Sequence, residues 1–239
     1  MGNIVEFKNV NKCFGCNKVI ENATFKIKKN SICGFIGPNG AGKTTLIKLL
    51  LDIIPVTSGE IIVSDLDNYK SKGVGAIVGG PSYYGNLNAY KNMKVVYYMK
   101  NLSPSDNEIG ELLKLVGLQD VGNKKVKNFS MGMKQRLCIA ISLVGNPQML
   151  IWDEPINGLD PEGIIEVRNL IMQIRKERKV TFLIASHILN ELDKVVDEIV
   201  VIKRGKIMYS GGIQQFLSDY EEDTLENSYM KCINRSDEL

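Results

Sequence analysis

The 239-residue chain has no run of about 18 consecutive apolar residues, the length a helix needs to cross a bilayer, so no segment is expected to span a membrane. Its opening, MGNIVEFKNV, lacks the apolar core of a signal peptide and carries Glu6 where a myristoylation motif wants Ser or Thr. Excess charge is also missing. Thirty Lys and Arg against 27 Asp and Glu leave +3, too little for the electrostatic footprint of a nucleic-acid binder. The five cysteines, Cys13, Cys16, Cys33, Cys138 and Cys232, are odd in number and scattered. Cys13 and Cys16 form one C-x-x-C, but no second pair or Cys/His cluster completes a zinc site, and a thioredoxin-like context is absent. Reduced thiols in a cytosolic protein are the expectation. What remains is ordinary globular material: 44% apolar and 24% charged residues, in a chain long enough to bury the core of one α/β domain with a smaller insert.

Strand-like and helical patterns alternate along it. Residues 3–8 and 23–28 alternate apolar and polar, and 31–36 is a short apolar run before a helix over 44–51. Strands are expected at 59–63 and 74–78, then only helices, at 89–100, 106–116 and 131–144. Strands resume at 149–152 and 181–185, with helices at 162–178 and 188–196. A hairpin over 198–202 and 206–209 turns at Arg204-Gly205. Such alternation predicts a mostly parallel sheet flanked by helices, with antiparallel strands at the N-terminus. The expected organisation is a single domain over 1–239. Its core is 1–78 with 146–215, its helical insert 79–145 and its tail 216–239. The tail, acidic at Glu221-Glu222-Asp223, reads either as one helix or as a frayed, solvated end.

Gly37-Pro38-Asn39-Gly40-Ala41-Gly42-Lys43-Thr44 fits G-x-x-x-x-G-K-[ST] and, with Thr45, joins the apolar run to the helix. Glycines there let backbone N–H groups approach phosphate oxygens, and the helix N-terminus adds its positive dipole end. Lys43 is expected to reach the β- and γ-phosphates of a nucleotide, and the Thr44 hydroxyl to hold Mg²⁺. A second site is read at 149–154, where a buried apolar strand ends in Asp153 and Glu154. Ligands of open α/β sheets bind at the C-terminal ends of strands. Asp153 is expected to accept from Mg²⁺-bound water, and Glu154 to act as general base on the attacking water.

Further segments resemble the nucleotide-binding subunit of ABC (ATP-binding cassette) transporters, with an α/β P-loop NTPase core. Phe129-Ser130-Met131-Gly132-Met133, followed by Lys134-Gln135-Arg136, is similar to the LSGGQ signature with its basic extension. Asn157-Gly158-Leu159-Asp160 resembles the D-loop, and Ser186-His187 the switch histidine. Phe14 sits where an aromatic stacks on adenine. The resemblance spans nearly the whole chain and implies ATP and Mg²⁺ as ligands, ATP hydrolysis, a transmembrane permease partner and attachment to the cytoplasmic face of the membrane. It also implies a second copy of the chain, whose signature closes over ATP held by the first. His187, the one histidine, is implied to hydrogen-bond the γ-phosphate, as a neutral or a cationic imidazole. Ser130 and Gly132, at the start of a helix, are the implied phosphate contacts of the signature, while Met131 and Met133 depart from its glycine and glutamine.

The segment from Gly80 to Tyr90, the Ser-Met-Gly-Met-Lys-Gln-Arg signature and the segment from Glu154 to Pro161 resemble bacitracin-resistance and lantibiotic-immunity exporters, which expel antimicrobial peptides. One position departs. The junction glutamine of the family, often glutamate in this branch, aligns with Gly79, and no Glu or Gln occurs from 61 to 107. Either the loop's backbone suffices, or hydrolysis and coupling to the permease are weakened. Tyr83, Tyr84, Tyr90, Tyr97 and Tyr98 suit either docking of a permease helix or packing among helices. The other classes to weigh are a soluble ABC-type ATPase acting on nucleic acid or ribosomes, and an ATP-binding regulator with little turnover. Against the first, the chain has no long coiled-coil insert and a single cassette. Against the second stands Glu154.

Overall fold

The computed structural model describes residues 2–64, 73–80 and 82–235. Pro81 of the junction segment and residues 236–239 of the tail lie outside the described residues. The chain begins with β1 (Asn3–Phe14), β2 (Asn17–Lys28), β3 (Ile32–Ile36), α1 (Lys43–Leu50) and β4 (Ser58–Val63). β5 (Val74–Ile77), α2 (Ala89–Met99), α3 (Asp106–Leu115) and α4 (Met131–Ser142) follow. Next come β6 (Met149–Asp153), α5 (Pro161–Arg178), β7 (Thr181–Ala185) and α6 (Leu189–Leu192). β8 (Glu198–Lys203), β9 (Lys206–Gly212), α7 (Ile213–Tyr220) and α8 (Leu225–Arg235) close the chain. These elements form two compact units, Met1–Asp65 with Thr181–Leu239, and Leu66–Val180.

In the first unit β1 pairs antiparallel with both β2 and β4. The inward residues are apolar, and Phe7 stacks on Phe25 with ring centroids 4.3 Å apart. Burying one such ring contributes about 1.5–3 kcal/mol. The second sheet of this unit runs β7-β3-β8-β9, with β3 parallel to β7 and β8. All five residues of β3 and of β7 are buried, so both strands read as continuous apolar runs without alternation. The hairpin turns at Arg204-Gly205 as expected. Buried Glu198 accepts from the Lys28 amide at 2.8 Å and from Ser31 Oγ at 2.6 Å, fixing the entry to β3 against β8.

The tail settles its two alternatives differently from either. It forms two helices, with Phe216 and Leu225 fully buried, Cys232 nearly so, and Lys203 Nζ donating to the Ile233 carbonyl at 2.6 Å. The acidic run marks only the turn between α7 and α8. Apolar residues at 213, 216, 217 and 220 carry the helical period that holds α7 down. The helix expected over 188–196 shortens to α6, four residues long.

In the second unit β5 and β6 are parallel, with Ile77 opposite Trp152. The Trp152 ring is fully buried and its Nε1 donates to Ser142 Oγ at 3.1 Å, locking the C-terminal end of α4 onto β6. Each helix of this unit starts on a side-chain cap: Asn88 for α2, a Ser105/Glu108 capping box for α3, Ser130 for α4 and Asp160 for α5. Lys100 Nζ donates to the Val144 carbonyl at 2.9 Å and ties the end of α2 to the segment after α4. The tyrosines divide: Tyr97 is buried in helix packing, whereas Tyr84 and Tyr98 stand exposed.

Candidate functional site

The first unit carries the glycine-rich loop. It leaves the C-terminal end of β3 at Ile36 and enters α1 at Lys43. Gly37 is buried so closely that an added Cβ would stand 2.3 Å from the Ile202 carbonyl oxygen, so β8 itself forbids a side chain there. Gly42, the N-cap of α1, has φ 113°, a conformation other residues rarely take, and its added Cβ would meet Ile20 Cδ1 at 2.6 Å. Gly42 provides no side-chain cap, so backbone alone shapes the entrance to α1. Lys43 is buried, and its ammonium donates to the Gly37 carbonyl at 2.5 Å and the Pro38 carbonyl at 3.4 Å, inside the loop it is meant to serve. Ala41 is buried, Thr44 and Thr45 are half-buried, and Pro38, Asn39 and Gly40 are exposed.

His187 lies two residues past the end of β7. Phe35 pairs with Ala185 across the parallel strands, so the loop and His187 leave adjacent strands at one edge of the sheet. Buried Ser186 accepts from the Ile188 amide at 3.1 Å and sets the turn that leaves the imidazole exposed. Phe14 closes β1 opposite Asn17 with half of its surface open.

The second unit carries the acids and the signature. Asp153 ends β6, and Glu154 follows with φ 55°, left-handed backbone that costs a non-glycine residue about 1 kcal/mol. Both carboxylates are half-buried. Because Ile77 pairs with Trp152, Gly79 and Glu154 leave neighbouring strands at one edge. Gly79 has φ 71°, and an added Cβ there would meet nothing within 4 Å. Ser130 Oγ accepts from the Met133 amide at 3.2 Å at the start of α4, with Met131 60% exposed beside it. Gly132 also faces open space. In the D-loop segment, Asp160 accepts from the Gly163 amide at 2.9 Å to cap α5. A Cβ on Gly158 would lie 3.3 Å from Met131 Cε, so the signature and the D-loop segment touch through that methionine. Arg136 and Glu166, 3.6 Å apart, add an ion pair between α4 and α5.

All five cysteines are free, and burial raises the thiol pKa of Cys33 and Cys138. Among the described residues no cluster of His, Cys, Asp and Glu could hold a metal ion by itself, and no helix is long and apolar enough to cross a membrane. Sequence reasoning missed Lys12. It is a buried lysine at an inward position of β1, where the alternation calls for an apolar residue, and its ammonium lies 4.9 Å from the centroid of the Phe14 ring.

A glycine-rich loop between a buried parallel strand and a helix, with a carboxylate pair ending another buried strand, defines a P-loop nucleoside-triphosphatase. Residues 20–157, more than half of the chain, match the family described as ABC transporter. The chain belongs to this family, as an ATP-binding subunit that hydrolyses ATP. It is 42% identical over 213 residues to the bacitracin transport ATP-binding protein BcrA of Bacillus licheniformis, covering 87% of this chain and 69% of that protein. It is 43% identical to the lantibiotic transport ATP-binding protein SrtF of Streptococcus pyogenes, covering 86% and 89%. Among solved structures, cbiO1 of Clostridium perfringens, part of the ABC transporter complex cbiONQ, superposes with a TM-score of 0.80. That match covers 92% of this chain and 93% of that one at 25% identity. A second ATP-binding subunit of an ABC transporter gives a TM-score of 0.84 at 23% identity, covering 96% and 99%, a likeness of fold.

Proposed function

We propose that the chain energises export of antimicrobial peptides of the bacitracin or lantibiotic kind through a separate membrane permease, working at the cytoplasmic face of the membrane as a dimer with ATP between two copies. The cargo reading rests on the relatives named for bacitracin and lantibiotic transport. The dimer reading rests on one observation above all. The signature helix starts at an exposed Ser130, with open space around Gly132, and so offers a helix N-terminus to an anion held by another chain.

In this reading Gly37, Pro38, Asn39, Gly40, Ala41 and Gly42 wrap the phosphates with backbone amides, while Thr45 supports the first turn of α1. Lys43 exchanges its carbonyl partners for the β- and γ-phosphates. The Thr44 hydroxyl and the Asp153 carboxylate are hard oxygen donors of the kind magnesium takes. Magnesium, when bound, neutralises charge on the β- and γ-phosphates. Glu154 accepts a proton from the attacking water, and His187 donates a hydrogen bond to the γ-phosphate. Phe14 stacks on adenine. The partner copy contributes Ser130, Met131, Gly132 and Met133, with Asp160 setting the adjoining segment. Tyr84 and Tyr98 are the exposed tyrosines offered to the permease. The test is expression with the co-purifying permease in a sensitive Gram-positive host. Resistance to bacitracin or a lantibiotic should rise and vanish on Lys43→Ala. Unchanged sensitivity with an active ATPase would remove the cargo reading.

A further inference from the structure

We infer that Lys12 is a positioning residue for the adenine platform, an inference that rests on the proposed stacking role of Phe14. Lysine at an inward strand position is costly, because its ammonium must be desolvated. Lys12 is 8% exposed, and among the described residues its ammonium has two partners, the Pro55 carbonyl at 2.7 Å and the Phe14 ring at 4.9 Å from the centroid. The second distance lies within cation–π range. The carbonyl anchors the cation to the segment before β4. That segment is itself held to β1: Cys13 N donates to Thr57 Oγ1 at 2.9 Å, and Thr57 N to the Asn11 carbonyl at 2.9 Å.

Phe14 ends β1 beside a two-residue turn, with half its surface open. An exposed ring at a hairpin tip has several rotamers to choose from. The cation beneath it favours one, with one face on the ammonium and the other outward. It also draws π-density from the outer face, which lowers the repulsion of stacking a second electron-rich ring there. Lys12 thus acts on the base through Phe14, with no contact to the phosphates.

The purified full chain tests this with two probes: ATP, and tripolyphosphate, which has no base. Lys12→Met should weaken ATP binding roughly three- to tenfold, the span of a partly desolvated cation–π contact. Tripolyphosphate affinity and kcat should stay unchanged while KM for ATP rises. Lys12→Arg should restore ATP affinity. Lys12→Gln, which keeps a donor for Pro55 but no charge, should behave like the methionine variant. Equal ATP affinity in Lys12→Met and the native chain overturns the inference, and so does equal weakening of both probes, which marks damage to the loop. Phe14→Ala separates the two levels. If it leaves ATP affinity intact, the stacking reading falls and takes this inference with it. If it weakens ATP alone while Lys12→Met does nothing, the inference alone fails.

Discussion

Two helix N-termini carry the phosphate-binding residues assigned to this protein, and they are built in opposite ways. The entrance to α1 is buried, shaped by backbone, and packed so tightly at Gly37 and Gly42 that a methyl group has no room. The entrance to α4 is exposed, capped by the Ser130 side chain, and open around Gly132. The first has its geometry enforced by its own fold through β8 and Ile20. The second leaves its geometry to whatever approaches it. A single chain can therefore hold a nucleotide, while catalysis waits for a surface supplied from outside.

The largest expected effect comes from breaking the chemistry without touching either entrance. Glu154→Gln should lower turnover by about a hundredfold or more, within the range of general-base losses. It should also trap an ATP-bound dimer, read by light scattering; persistent monomer at saturating ATP would sink the sandwich. Next, Gly37→Ala should cost about 2–3 kcal/mol of stability through overpacking against a backbone oxygen, and abolish ATP binding by the isolated chain in calorimetry. Gly132→Ala is the matched opposite. Folding and single-chain ATP affinity should survive, yet ATPase should drop by at least tenfold, because the methyl group meets only the partner's phosphate. Loss of single-chain binding in this variant would erase the contrast between the two entrances. Ser130→Ala removes a cap worth about 1 kcal/mol, a melting shift of roughly 2–4 °C for a chain of this size, along with ATPase. The smallest effect belongs to Gly79→Glu. Space is available, and the left-handed φ costs about 1 kcal/mol. Permease-coupled ATPase or resistance should rise, and equal activity in both versions would show that the loop needs no side chain.

Much of this was legible in the residues. The loop, the acid pair and the strand order follow from local pattern, since periodicity and glycine spacing are properties of neighbours in sequence. Helix starts at 89, 106 and 131 were readable because Asn88, Ser105 and Ser130 announce them. The tail was not, because α7 and α8 are held by Phe216, Leu225 and Cys232 packing on distant segments. The tyrosine cluster was ambiguous for the same reason: only packing separates buried Tyr97 from exposed Tyr98 beside it. Lys12 escaped because a lone lysine in a strand gives no sign of the ring and carbonyl it will find.

The sequence by itself determined the family, the identity of the cradle and the order of its parts, since these reside in short contiguous motifs whose chemistry depends on adjacent backbone. Only the tertiary structure decided that Gly37 must be glycine because Ile202 presses on it, and that His187 shares an edge with the loop. It alone placed Met131 against Gly158 and Lys12 beneath Phe14. Those facts arise between segments far apart in the chain, where burial and close approach, rather than local propensity, fix which atoms meet.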